Sequence, residues 1–422
     1  MLSTIYNLAW YPALPFALLV GGGRDSQNRR ERLGEIAEPD PARSPRIWVH
    51  AASVGEIEAV RPIVGGLARA LPRAAIAITT MTVAGREAAS RRIGERAACQ
   101  LAPLDCPLIV RRFIRRLRPQ LVLIAETELW PNFFVESARA GARVALINAR
   151  VSARSISRYR LIRPLIARAL AHADLVLAQS EGDAARYREL GANPKRVIVT
   201  GNTKFDLDSE AVAQPRPALA NFVSGRPSLV AGSTAPGEER MVLTAHRHLL
   251  ERFPTLGLVI APRHLERISE VEAELHAAGI EYAKASALSE NGSSAGANVR
   301  VLLLDTMGDL RRLFASAAIA FIGGSIAPPR GGQNLGEPAQ AAVPVLFGPH
   351  YENQQQVGDA LIAGGGGVVV TDAAELETRC AEWLADDQAR RAAGLSARRV
   401  MEQLAGGTAA TLRHLASILT VP

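Results

Sequence analysis

Short runs of valine, isoleucine and leucine recur along this chain, each separated from the next by a stretch with helical spacing. In the first half they are 47–51, 75–79, 121–125, 143–148, 175–179 and 197–201. In the second half they are 228–232, 256–262, 299–305, 317–322, 343–348 and 367–371. The runs are apolar on both faces, as strands of a parallel sheet covered by helices on each side must be. Segments such as 56–71, 183–191, 237–252 and 264–278 have the 3.6-residue spacing of the covering helices. The alternation predicts an α/β chain of doubly wound sheets. A polar, proline-bearing stretch near 202–227 divides the runs into two sets, which predicts two Rossmann-like domains. The segment 387–419 reads as helical and is expected to pack back across the boundary. The implied division is 1–23, 24–207, 208–400 and 401–422.

With 422 residues there is ample chain for two cores. Three cysteines, Cys99, Cys106 and Cys380, form no CxxC pair and argue against a disulfide scaffold or zinc cluster. No metal-ligand spacing occurs, so no metal is expected. His246 and His248 lie two apart on a helical segment and so face different ways. Neither GxGxxG nor GxxxxGK[ST] is present, which gives a nicotinamide or P-loop reading little support. The net charge of +8 is unevenly spread: residues 1–207 hold 31 basic and 18 acidic side chains, and residues 208–422 hold 18 and 23. A basic half beside an acidic one suggests an anionic surface or substrate for the first, or an uneven solvated surface. The arginines lack aromatic interleaving and no nucleic-acid motif occurs, so nucleic acid is not expected as a partner.

Residues 1–23 carry no charged side chain, and Arg24, Arg29, Arg30 and Arg32 follow. The run holds Tyr6, Trp10 and Tyr11, residue types that favour the headgroup region of a bilayer. Pro12 and Pro15 interrupt it, and no basic residue or A-x-A site marks it as a secretory signal. The expectation is a membrane-associated segment with a cytoplasmic body, spanning or lying flat, against a buried N-terminal helix.

Several strand ends carry residues suited to chemistry. In His50-Ala51-Ala52-Ser53-Val54-Gly55-Glu56, Ser53 and Gly55 suit a tight strand-to-helix turn. Glu56 falls in the first helical turn, where the helix dipole would keep it ionised, as a cap or as a general base facing a cleft. Glu126 and Glu128 leave the 121–125 run together and share a side only while the chain stays extended. One of them caps the next helix, or both need partners, and Arg150 is a candidate. In the second half, Gly232-Ser233-Thr234 and Gly323-Gly324-Ser325 end strands and offer backbone N–H groups to an anion. Arg263 follows another strand and suits a phosphate. The Gly-rich loop 330–338 carries Asn334 and Glu337, the latter suited to a ribose diol. Each feature alone is commonly a turn or a cap.

In order along the chain, HAASVGE (50–56), TMTVAGRE (80–87), ETELWPN (126–132), INARVS (147–152), GNTKFD (201–206), AGSTAPGEE (231–239), APRHLER (261–267), FIGGS (321–325) and NLGEP (334–338) resemble the 3-deoxy-D-manno-octulosonic acid (Kdo) transferases. That resemblance implies the GT-B glycosyltransferase fold, two Rossmann-like domains around a cleft. It implies inverting, metal-independent transfer of Kdo from CMP-Kdo to a lipid A precursor at the cytoplasmic face of the inner membrane, with no cofactor. It makes Glu56 the general base and Glu126 a second essential carboxylate, with Ser53, Arg150 and Lys204 in supporting or acceptor-site positions. Arg263 and the loops at Ser233, Gly324 and Ser325 would hold the CMP phosphate, and Asn334 and Glu337 the rest of the nucleotide. The chain departs from the usual pattern at Gln100, Gln333, Gly336 and Asn353-Gln354. Rival readings are another GT-B enzyme, such as an N-acetylglucosaminyl transferase or nucleotide-sugar epimerase, and a membrane-bound nucleotide-binding protein without transfer activity.

Overall fold

A computed structural model describes residues 2–22, 25–37, 39–206, 215–223, 225–288 and 299–419. The chain divides into two compact units, Met1–Asp206 with Leu404–Pro422, and Leu207–Gln403. In the first unit the strands are β1 (Arg46–His50), β2 (Ala75–Thr80), β3 (Ala98–Leu101), β4 (Leu121–Ala125), β5 (Arg143–Ala149), β6 (Leu175–Ala178) and β7 (Val197–Val199). They form one parallel sheet in the order β3-β2-β1-β4-β5-β6-β7. In the second unit they are β8 (Ser228–Thr234), β9 (Gly257–Pro262), β10 (Tyr282–Lys284), β11 (Val301–Leu303), β12 (Ile319–Ile322), β13 (Val345–Phe347) and β14 (Gly367–Val369). These also form a parallel sheet, in the order β10-β11-β9-β8-β12-β13-β14. Each of the twelve apolar runs contributes a strand. The sequence pattern misses β3 and β10, which are edge strands with a single neighbour and need no continuous apolar run.

Strand alternation divides the first core in two. Trp48, Val122, Ile124, Val144 and Leu146 face Phe113, Phe133 and Phe134 on one side of the sheet. Ile47, Val49, Leu121, Leu123 and Ile147 face Ile57, Val60, Ile63 and Val64 on the other. The last helix, Gly407–Leu419, joins this second cluster through Leu415. It is separated from the helix Asp387–Leu404 by Gly406, whose φ of 102° ends the helical path. Both carboxylate oxygens of Asp206 accept backbone N–H groups at its start, from Gly406 and Thr408. Leu412 lies where a side chain at Gly66 would go, so the two helices meet closely at this glycine.

The N-terminal segment forms the helix Leu2–Gly22, with Pro12 and Pro15 inside it. Trp10, Leu14, Ala17 and Leu18 pack against Leu104, Cys106 and Ile109. Tyr6 donates its hydroxyl to the buried Asp105 at 2.8 Å. Leu2, Ile5, Leu8, Tyr11 and Phe16 are exposed on the same helix. Among the described residues, no helix is long and apolar enough to cross a membrane.

Candidate functional site

In each sheet the strand order reverses direction at one point, and the crevice beyond the carboxyl ends of the two strands there is where such sheets bind ligands. In the first unit that point lies between β1 and β4. β1 runs into Ser53 and Glu56, and β4 runs into Glu126 and Glu128. Two motifs 70 residues apart in the chain are thus joined by a strand pairing.

Ser53 caps the helix Val54–Ala70 in extended conformation, with φ −130° and ψ 167°. Its hydroxyl accepts from the Glu56 N–H at 3.4 Å and donates to Glu56 Oε1 at 3.2 Å. Glu56 Oε2 accepts the Ala52 N–H at 2.7 Å. The capping arrangement is therefore present, and it holds the carboxylate at the crevice. The expectation that the helix dipole keeps Glu56 fully ionised is corrected. Burial first, then the nearby Glu128 charge, and more weakly Glu126, push its pKa up to about 7, against hydrogen bonds from Ala52 and Ser53.

Glu126 and Glu128 do not share a side, because the chain turns at once after β4. Glu126 has a positive φ of 48°. Its carboxylate meets Lys204 Nζ at 2.7 Å and accepts from Asn148 Nδ2 at 3.3 Å. Asn148 is fully buried, and its Oδ1 accepts the Thr203 N–H at 3.1 Å, tying the Lys204 turn to the end of β5. Lys204 thus partners Glu126, and the expectation of Arg150 in that role is corrected. Arg150 is exposed, and its contribution here is its carbonyl, which accepts from Thr127 and Tyr187. Glu128 turns the other way, accepting from Trp130 Nε1 at 2.6 Å and lying 3.5 Å from His50 Nε2. Burial alone would raise the pKa of Glu128, but the contacts from His50 and Trp130 outweigh it and hold the carboxyl below its usual range.

In the second unit the reversal lies between β8 and β12. Here the backbone N–H groups expected to take an anion already hold one. Glu238, in the first turn of the helix Glu238–Arg252, accepts from Gly324 N at 2.8 Å and from Ser325 N and Ile326 N at 3.0 Å each. It also accepts from Ala235 N at 2.8 Å. Direct N–H donation to a phosphate by Gly324 and Ser325 is thereby corrected: these groups bind an internal carboxylate. The Ser325 hydroxyl is also engaged, donating to Ile322 O and accepting from Gly348 N. Ser233 sits at a register shift between β8 and β9, with φ 55°, and is half-buried.

Arg263 leaves the end of β9 and is exposed. Arg267, one helical turn on, makes the buried ion pair at this edge, 2.7 Å from the fully buried Glu239. Asn334 Nδ2 donates to Glu337 Oε1 at 3.1 Å, so these two residues form one unit. Burial raises the Glu337 pKa, opposed by Arg311, Asn334 and Arg263. The Arg263 charge therefore reaches Glu337. Among the described residues, no cluster of three or more His, Cys, Asp and Glu side chains has the arrangement of a metal site.

Sequence reasoning passed over His50, Thr79, Asn148 and Tyr187 at this site. His50 and Asn148 lie inside motifs noted above, but burial, the signal that singles them out, is invisible in a sequence. Tyr187 is fully buried, and its hydroxyl donates to Glu126 O at 2.9 Å.

A family model described as 3-deoxy-D-manno-octulosonic-acid transferase matches residues 27–207. The 3-deoxy-D-manno-octulosonic acid transferase of Bordetella pertussis is 38% identical over 390 residues, 89% of this chain and 88% of that protein. The Haemophilus influenzae protein of the same description is 32% identical over 376 residues, 89% of this chain and 87% of its own length. Among solved structures, Anabaena HepE in complex with UDP matches with a TM-score of 0.59 at 14% identity, over 90% of this chain and 100% of that one. At such low identity the likeness concerns the two-sheet α/β fold alone.

Proposed function

The chain belongs to the 3-deoxy-D-manno-octulosonic acid transferase family and is a glycosyltransferase of that kind; from this premise we propose that it moves Kdo from CMP-Kdo to a glucosamine hydroxyl of a lipid A precursor, in lipopolysaccharide core assembly. The observation that carries the site assignment is the Glu56 carboxyl. It stands at the β1/β4 reversal point with a pKa of about 7. A general base works best with a pKa near the operating pH. Glu56 takes the proton of the acceptor hydroxyl as that oxygen bonds to the anomeric carbon of Kdo. The bond from that carbon to the CMP phosphate oxygen breaks, and the configuration inverts. Glu126, held by Lys204 and Asn148, supports the acceptor side together with Ser53.

On the donor side, Arg263 stabilises the charge developing on the departing phosphate, with Ser233 at the same sheet edge. Asn334 and Glu337 hold the ribose. Gly324 and Ser325 act by shaping the loop around Glu238. In this reading the acceptor binds to the first unit and the donor to the second. The exposed Ile5, Leu8, Tyr11 and Phe16 of the first helix support attachment to the cytoplasmic face of an anionic inner membrane.

The test is product mass analysis after incubation of the purified protein with CMP-Kdo and tetraacylated lipid A precursor. Addition of Kdo is expected, and turnover of UDP-N-acetylglucosamine instead would refute the assignment. Glu56→Ala should nearly abolish transfer while CMP still binds, and normal turnover by that variant would remove Glu56 from its role.

A further inference from the structure

His50 is the last residue of β1 and is completely buried. In the parallel register it lies beside Thr79 of β2. The Thr79 hydroxyl accepts the indole N–H of Trp48 at 2.8 Å and lies 2.9 Å from His50 Nδ1. An indole N–H only donates, so the hydroxyl oxygen is the acceptor there. Its own proton has no other acceptor among the described residues and is directed to Nδ1. Nδ1 is then the bare nitrogen and Nε2 carries the hydrogen, since which ring nitrogen is protonated is set by the bond the other makes. The ring of Phe133 stands edge-on to the imidazole at 5.1 Å and 89°, fixing its plane. Nε2 has no hydrogen bond of ordinary length, and the acceptor 3.5 Å from it is Glu128 Oε2. A fully buried N–H without a partner is costly, so this contact has a reason to close.

We propose that His50 and Glu128 are positioning residues for the general base: His50, held by Thr79 as the Nε2–H tautomer, keeps Glu128 a carboxylate, and the charge of Glu128 adds to burial in favouring a proton on Glu56. This rests on the reading of Glu56 as the base. The direction at Glu56 agrees with it, because the Glu128 charge, after burial, helps push Glu56 up to about 7.

The charged and titratable groups around Glu56 come from identifiable elements. Glu126 and Glu128 follow β4, His50 ends β1, and Lys204 is paired to Glu126. Tyr159 and Tyr187 lie close enough to Glu128 for its charge to raise their pKa values. On Glu56's own helix, Glu58 is paired with Arg61 and with Arg92 of the helix Val83–Ile93. That same neighbouring helix directs Arg86 to Glu31. Arg96 and the helix Gly407–Leu419 meet the Glu56 helix near Gly65 and Gly66. At 1.5 Å per residue that is about 15 Å further along. Glu128 is therefore the main charge whose removal should move Glu56.

The test is the pH dependence of kcat for Kdo transfer from CMP-Kdo to tetraacylated lipid A precursor. It compares the unaltered protein with Glu128→Gln, His50→Gln, His50→Leu and Glu56→Gln. Glu128→Gln removes the charge, and the acidic limb should move down by about one pH unit with the KM for CMP-Kdo within about twofold. His50→Gln keeps an N–H near the Nε2 position and should leave the limb within a few tenths of a unit. His50→Leu removes the donor, so that Glu128 takes a proton more readily and loses charge beside Glu56, and the limb should move down, in the same direction as in Glu128→Gln. A merely structural role for these residues would lower kcat without moving the limb, and an unmoved limb in Glu128→Gln overturns the proposal. An unmoved limb or an upward shift in His50→Leu would overturn the part assigned to His50. If the leucine variant does not fold, Glu128→Gln and His50→Gln decide the matter. Normal turnover by Glu56→Gln would instead defeat the base assignment, an outcome distinct from an unmoved limb.

Discussion

Replacing Glu56 by glutamine should make the first unit more stable at pH 8 and leave it unchanged near pH 4.5. The folded protein holds this carboxyl at a pKa of about 7, against 4.5 for the free group. The folded state therefore prefers the protonated form more than the unfolded state does. Below pH 4.5 both states are protonated and there is no penalty. Between 4.5 and 7 the unfolded chain ionises while the folded one resists, and the penalty grows. Above 7 it is constant. At about 1.4 kcal/mol per pH unit, a rise of about 2.5 units is about 3 kcal/mol of stability lost to the ionised carboxyl. Glutamine keeps an acceptor for the Ala52 N–H, so the cap survives while the charge goes. Unfolding of the first unit can be followed by fluorescence, since Trp10, Trp48 and Trp130 lie in it and Trp383 alone lies outside, removable as Trp383→Phe. With a urea slope of about 2–3 kcal/mol per molar, the midpoint should rise by about 1 M at pH 8. A rise of equal size at pH 4.5 and pH 8, or a fall at pH 8, would refute the reasoning. The same variant should be almost inactive, because the carboxyl that destabilises the fold is the one that takes the acceptor proton.

Lys204→Ala removes the ion pair of Glu126 and is expected to lower Kdo transfer more than tenfold while CMP binding, measured by calorimetry, changes little. Arg267→Met strands the fully buried Glu239 charge, and urea unfolding should show a loss of about 3–5 kcal/mol in the second unit. Glu238→Ala leaves four backbone N–H groups without their acceptor and should cost about 3 kcal/mol or more, measured the same way. Leu8→Asp with Phe16→Asp places charge on the exposed face of the first helix and should weaken flotation with phosphatidylglycerol vesicles at least tenfold, with the fold intact by circular dichroism.

The sequence by itself determined the architecture, because the signal is repeated and local. A buried parallel strand must be apolar on both faces, and each of the twelve apolar runs is one. It also placed Ser53, Glu56, Glu126 and Glu128 at strand ends, since a carboxylate directly after a buried strand has few other places to be. Only the tertiary structure decided what those carboxylates meet. Strand order put β4 beside β1, and so brought Glu128 to His50 and left Glu56 with a raised pKa. The positive φ at Glu126 turned it to Lys204, 78 positions on, leaving Arg150 in solvent. In the second unit a glycine-rich turn that reads as an anion site is filled by Glu238, a residue 86 positions before Gly324. Local patterns follow from backbone sterics and burial, which act between neighbours in the chain. The partner of a charge depends on strand pairing and loop conformation, which bring together residues no local pattern connects.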